Sequence, residues 1–87
     1  MNRAHRKTLA AIFAKPTPGN IRWSDIEVLL RAIGADVTDG EGSRVRVALQ
    51  GTRAVFHRPH PQPTTDRGAV KSVRRFLQAA GAGPQDL

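Results

Sequence analysis

Two imidazoles and a cluster of guanidiniums are the groups in this chain with chemistry to offer. His57 and His60 lie three apart in His57-Arg58-Pro59-His60-Pro61-Gln62-Pro63, and Arg44 and Arg46 lie shortly upstream. An imidazole exchanges protons close to neutral pH, so the two histidines suit general acid and base work. Arg44, Arg46 or Arg58 could hold a phosphate, because a guanidinium forks onto two oxygens at once. Each histidine also has a plain reading, His57 as a solvated strand residue and His60 as a loop residue bonded to backbone. Only His5 completes the histidine count.

Other chemistries find less support. His57-x-x-His60 falls on a proline-broken segment, and with no cysteine or nearby acidic cluster no metal site is expected. Ser43 has no histidine–acid arrangement to activate it. Gly40-Glu41-Gly42-Ser43 lacks the Walker lysine and reads as a turn, so neither a phosphate loop nor a cofactor is expected. The absence of cysteine also excludes disulfides.

Charge names the partner class. Fourteen Lys and Arg against seven Asp and Glu give a formal charge of +7, and the excess is mostly arginine. Such a balance favours a polyanion, although arginine-rich coding in a G- and C-rich genome would give a similar bias. The charge is uneven: residues 25–41 hold five acids and one base, and residues 42–82 hold eight bases and one acid. A nucleic acid would therefore meet the second half, through Arg44, Arg46, Arg53, Arg58, Arg67, Lys71, Arg74 and Arg75. With aromatic content of 5%, base-stacking platforms are nearly absent, so backbone recognition is favoured. Trp23 reads as a core or staple residue.

Hydrophobic spacing supplies the elements that must position these groups. A helix within about 5–15 follows from Leu9, Ile12 and Phe13, and Pro16 to Asn20 ends it. A second helix over 24–33 is predicted by a Ser24/Glu27 capping box, a Trp23–Val28 staple, a stripe of Val28, Leu29, Leu30 and Ile33, and Gly34 as its end. A short strand at 35–38 precedes the alternating run 43–49, and Gln50-Gly51 is a two-residue hairpin turn leading to a return strand at 53–57. That turn pairs Leu49 with Thr52, Val47 with Ala54, Val45 with Phe56 and Arg44 with His57. Val45, Val47, Leu49, Ala54 and Phe56 then face the core, while Arg44, Arg46, Arg53, His57 and Val55 line the open face. Thr65 or Asp66 caps a last helix to about Ala80, closed by Gly81, with Val70, Val73, Leu77 and Ala80 inward. Arg67, Lys71, Arg74 and Gln78 form a basic ridge that Arg75 joins.

The expected fold class is α+β: an α-β-β-β-α domain with an extra N-terminal helix, and a three-stranded antiparallel sheet with helices on one face. The length suits one domain spanning 1–87, with the core at 21–81 and a frayed tail at 82–87. No apolar run approaches the roughly 18 residues of a membrane span. The basic start, Met1 to Lys7, leads into alanines and Lys15 and not a signal core, so the cytoplasm is the expected location.

The helix ending in Ala-Ile-Gly, the Glu-Gly-Ser-Arg hairpin start, Arg-Pro-His-Pro and the final Gly-Ala-Val-Lys-Ser-Val-Arg-Arg-Phe-Leu-Gln-Ala-Ala-Gly helix together resemble the HicA toxins of HicA–HicB toxin–antitoxin pairs. The resemblance covers about residues 21–81. It implies a fold like a double-stranded-RNA-binding domain, cleavage of mRNA, and neutralisation by a HicB antitoxin. The family pattern is usually Gly-Ser-His or Gly-Ser-x-His, its histidine taken as catalytic, whereas this chain reads Gly42-Ser43-Arg44-Val45-Arg46. The family's catalytic role does not carry over to Arg44. His57 and His60 are then the candidates for an mRNA-cleaving site without metal, His57 returning an imidazole to Arg44 across the hairpin. A binding module of the same fold without chemistry is the alternative. The basic ridge fits either an RNA backbone or an acidic antitoxin, and the N-terminal helix either covers its own domain or meets a partner.

Overall fold

Pairing across one tight turn organises the sheet. The computed structural model describes residues 1–86, and in it strand β1 (Ile21–Arg22) is short and lies apart from the main sheet. The main sheet consists of β2 (Asp36–Asp39), β3 (Arg44–Leu49) and β4 (Thr52–His57), antiparallel and in that order. Gln50 and Gly51 turn β3 into β4 with φ of 50° and 78°, the left-handed pair that a two-residue type I′ hairpin demands. This fixes Leu49 opposite Thr52, Val47 opposite Ala54, Val45 opposite Phe56 and Arg44 opposite His57, as the spacing predicts. Because side chains alternate, the same register buries Val45, Val47, Leu49 and Phe56 and leaves Arg44, Arg46, Arg53, Val55 and His57 exposed.

Three helices cover the buried face: α1 (Arg3–Ile12), α2 (Trp23–Ala32) and α3 (Arg67–Ala79). One cluster joins Leu9 and Ile12 of α1, Ile26, Leu29 and Leu30 of α2, the inward strand residues, and Val70, Val73, Phe76 and Leu77 of α3. Both α2 and α3 end in paired carbonyl caps. Ala35 N–H donates to Leu30 and Gly34 N–H to Arg31, while Ala82 N–H donates to Leu77 and Gly81 N–H to Gln78. Gly34 and Gly81 adopt φ of 96° and 70°, which a side chain would strain. The Asp66 carboxylate caps α3 through Ala69 N–H at 2.8 Å. The architecture is α+β, with a three-stranded antiparallel sheet and its helices on one side.

Several expectations need correction. Helix α1 begins at Arg3, because Asn2 accepts from His5 N–H, and ends at Ile12 and not near Lys15. Helix α2 has no capping box: Arg22 enters it in extended backbone without a side-chain cap, and Ser24 lies exposed within the first turn. The cause is an unforeseen ladder, β1 pairing with β5 (Thr64–Thr65) through Ile21–Thr65 and Arg22–Thr64, which holds the chain extended up to Trp23. Val28 is 50% exposed and neither staples Trp23 nor joins the stripe, whose place Ile26 takes. The tail is also partly built in: Ala82 is buried, and a 3-10 turn follows at Pro84–Asp86. The end of the expected frayed segment, Leu87, lies outside the described residues. Among the described residues no helix is long and apolar enough to cross a membrane.

The N-terminal helix is a structural cover of this domain, since Ile12 is fully buried against it. Ile12→Ala is expected to lower the unfolding free energy by about 2–4 kcal/mol in urea titration. A loss below about 0.5 kcal/mol, as for a surface site, would mean that α1 does not belong to the core.

Candidate active site

The open sheet face carries the histidine that the register places beside arginine. Arg58 N–H donates to the Ser43 carbonyl at 2.8 Å, which closes the ladder one step beyond the Arg44–His57 pair. Arg44 and His57 are therefore a non-hydrogen-bonded pair, the closer kind, with Cα atoms about 4.5 Å apart. Arg46 pairs with Val55 and stands diagonal to His57 on the same face. Further along, Arg53 faces Ala48, and Asp36 and Thr38 of β2 complete the rows. The result is a shallow concavity lined by Arg46, Arg53, Val55, Thr38 and Asp36, with the Arg44–His57 pair at one end of the sheet.

His60 lies exposed on the loop that leaves β4. Among the described residues, no set of three or more His, Asp or Glu side chains gathers in a way that could hold a metal ion. Asp66, the nearest acid after the histidines in sequence, is engaged as the α3 cap.

The basic residues divide by what they touch. Arg44, Arg46 and Arg53 are exposed on the open face. Lys71 and Arg75 are exposed on the outer side of α3, Arg75 reaching Ser72 Oγ at 3.1 Å. Arg74 instead donates to the carbonyls of Ile12 and Ala14 at 2.9 and 3.2 Å and to Thr17 Oγ1 at 2.9 Å. A guanidinium there satisfies orphan carbonyls at the C-terminus of α1 and complements the helix dipole. Arg67 similarly donates to the Thr17 carbonyl at 3.1 Å. The ridge is thus split: two arginines tie the N-terminal helix and its linker to α3, and Lys71 and Arg75 point outward.

Arg58 is the most tightly held cation. Its Nε and Nη2 donate to Glu27 Oε2 and Oε1 at 2.7 and 3.1 Å, and its Nη1 meets Asp39 Oδ1 at 2.7 Å. Glu27 also accepts from Trp23 Nε1–H and pairs with Arg31 at 3.4 Å. Trp23 is buried against Phe56, with ring centroids 5.9 Å apart, so this network adjoins the core directly under the end of β4. Glu27 escaped the sequence reading because Ser24-x-x-Glu27 fits a capping box. The signal available was Trp23 and Glu27 four apart, on one helix face beside the apolar stripe.

The model of the HicA toxin of bacterial toxin-antitoxin systems matches residues 23–82. The chain belongs to the HicA toxin family. No curated protein and no solved structure matches it. Family membership identifies the chain as the toxin type of component in a toxin–antitoxin system. The match begins at Trp23, so α1 and its linker lie outside it, while the hairpin, the histidine loop and α3 lie within. In this HicA chain His57 faces Arg44 from the next strand.

The Glu27–Arg58 pair also links stability to pH. Hydrogen bonds from Arg58 hold the Glu27 carboxyl below its ordinary value of 4.5, outweighing burial, which pushes it up, with Trp23 and the charges of Arg58 and Arg31 assisting. Bonds to Glu27, then Asp39, hold the Arg58 guanidinium above its ordinary value. A carboxyl lowered in the folded state adds stability above its unfolded value and loses it as pH falls through the folded one. Glu27→Gln is therefore expected to cost about 1–2 kcal/mol at neutral pH, allowing for the partial exposure of Arg58. The gap between parent and variant should shrink below about pH 4.5 and close in stronger acid. Urea titrations across that range check it, and a gap independent of pH would refute the assignment.

Proposed function

We propose that this HicA-family chain is a metal-independent endoribonuclease that cleaves mRNA and so inhibits translation, held silent by a HicB antitoxin. The observation that carries the reading is the Arg44–His57 pair on an exposed, basic sheet face within a chain of this toxin family. RNA supplies its own nucleophile, the 2′-hydroxyl, so cleavage asks the protein only for proton transfer and charge stabilisation. One imidazole accepts the 2′-OH proton as that oxygen attacks phosphorus. The other, protonated, delivers a proton to the departing 5′-oxygen. His57 and His60 divide these roles, and a 2′,3′-cyclic phosphate and a 5′-hydroxyl result. Arg44 and Arg46 offset the charge that builds on the phosphoryl oxygens.

Recognition on this reading is of backbone more than of base. The open face has no Phe, Tyr or Trp, and its Arg44, Arg46 and Arg53 suit phosphates. Lys71 and Arg75 on α3 offer a further exposed basic surface for RNA or for an acidic antitoxin. Arg58, Arg67 and Arg74 contribute to RNA binding only with what their present partners leave unused. An antitoxin that covers the open face would silence the enzyme by occupying the place of RNA.

A binding module without chemistry has one observation in its favour: Gly42-Ser43-Arg44-Val45 lacks the histidine of the Gly-Ser-His or Gly-Ser-x-His pattern that it resembles. Cleavage separates the two readings. A long mRNA incubated with the protein in EDTA is expected to be cut, and His57→Ala or His60→Ala should slow cutting by about 100-fold or more with the fold intact. Cleavage indifferent to both substitutions would remove the histidines from the mechanism. Tight RNA binding without cleavage would favour the binding module.

A further inference from the structure

We infer that Glu27 is a positioning residue, which acts through Arg58 to hold the loop carrying His60 and the strand end carrying His57; this rests on the histidine assignment proposed above. The segment from Pro59 to Pro63 contains three prolines and joins no strand of the main sheet, so its path must be set by its ends. Both ends are held by the first turns of α2. At the first end, the Arg58 guanidinium lies along the Glu27 carboxylate in a two-bond fork of 2.7 and 3.1 Å. At the far end, Trp23 N–H donates to the Pro63 carbonyl at 3.0 Å, and Thr64–Thr65 then pair with Ile21–Arg22. Trp23 in turn donates its indole N–H to Glu27, so one carboxylate is bonded to residues at both anchor points.

The chemistry of the pair favours a geometric role. Its carboxylate side chain is 10% exposed and that of Arg58 35%. An ion pair taken this far out of water is a poor stabiliser beside an apolar filling, and what it adds is a defined direction. A planar fork fixes the guanidinium plane, which a single bond would not. Asp39 cannot replace Glu27 in this task, because its side chain is 74% exposed and meets Arg58 through one nitrogen only. Without Glu27, Arg58 would keep its N–H bond to Ser43, and His57 would remain on its strand. The loop beyond would lose its side-chain anchor. His60 is therefore the imidazole that Glu27 governs most.

Glu27→Gln, a change of nearly equal shape, is expected to lower kcat for RNA cleavage about tenfold, with KM within about twofold, since misplacing a reacting group slows the step without weakening distant contacts. Arg31→Gln removes the other ion pair of Glu27, which does not reach the loop, and should leave kcat unchanged. Circular dichroism at the assay temperature confirms that each variant is folded. Proton exchange at the Arg58 Nε–H, which Glu27 accepts, and the NMR signals of the His60 ring read the same effect without catalysis: in Glu27→Gln exchange should quicken and the ring signals shift. If Glu27→Gln does not fold, Arg58→Lys, which keeps charge and loses the fork, carries the test with the same expected result. A folded variant with unchanged kcat and unchanged His60 signals would overturn the inference. Should the parent itself fail to cleave RNA, the histidine assignment fails, and the exchange and ring signals alone then decide whether Glu27 orders the loop.

Discussion

A carboxylate on the second turn of α2 ties that helix to the residue that follows β4. Glu27 accepts bonds from Trp23, four residues before it, and from Arg58, thirty-one residues after it. Through Trp23 it adjoins the aromatic contact with Phe56, and Phe56 meets Phe76 of α3 edge-on at 5.8 Å. Through Arg58 it reaches Asp39 at the end of β2. Two helices, both neighbours of β3, and the histidine loop thus converge on one small region. Removing the acid would leave an indole N–H and a guanidinium without their shared acceptor in a largely buried place, a change costly out of proportion to one bond.

The second constraint is the turn at Gln50-Gly51, which decides what the open face displays. A slip of one residue would send Arg44, Arg46 and His57 into the core and bring Val45 and Phe56 to the surface. Apolar burial and the left-handed turn agree on the same register, and the basic face is its consequence. The remaining cations are then sorted by the needs of the backbone. Arg74 and Arg67 are drawn to the carbonyls that end α1 and its linker, because main-chain acceptors there require donors. Lys71 and Arg75, adjacent on the outer side of the same helix, stay in solvent.

Much of this was legible in the residues. Strict alternation over 43–49, a two-residue turn and a return strand specify the hairpin pairing residue by residue, because strand geometry has a period of two and the turn leaves no freedom of register. The glycine ends of α2 and α3 follow from apolar stripes that stop at Gly34 and Gly81. The start of α2 is not legible locally, because Ser24 and Glu27 satisfy a local rule while a non-local ladder with Thr64–Thr65 determines the outcome. The role of Arg74 was hidden for the same reason: its acceptors lie some sixty residues away, and spacing along one helix shows only which face a side chain leaves. Arg58 and Asp39 could not be paired from sequence, since neither periodicity nor charge pattern relates the end of one edge strand to the end of the other.

The structure joins a HicA-family core to an added N-terminal helix and presents, on the face opposite its helices, an imidazole beside arginine. On the function proposed, these groups cleave RNA by attack of its own 2′-hydroxyl. Analysis of the ends of cleaved RNA, produced in EDTA, tests this most directly. Termini of 2′,3′-cyclic phosphate and 5′-hydroxyl are expected. Termini bearing 5′-phosphate and 3′-hydroxyl would contradict it, because they arise from attack by water and not by the neighbouring hydroxyl.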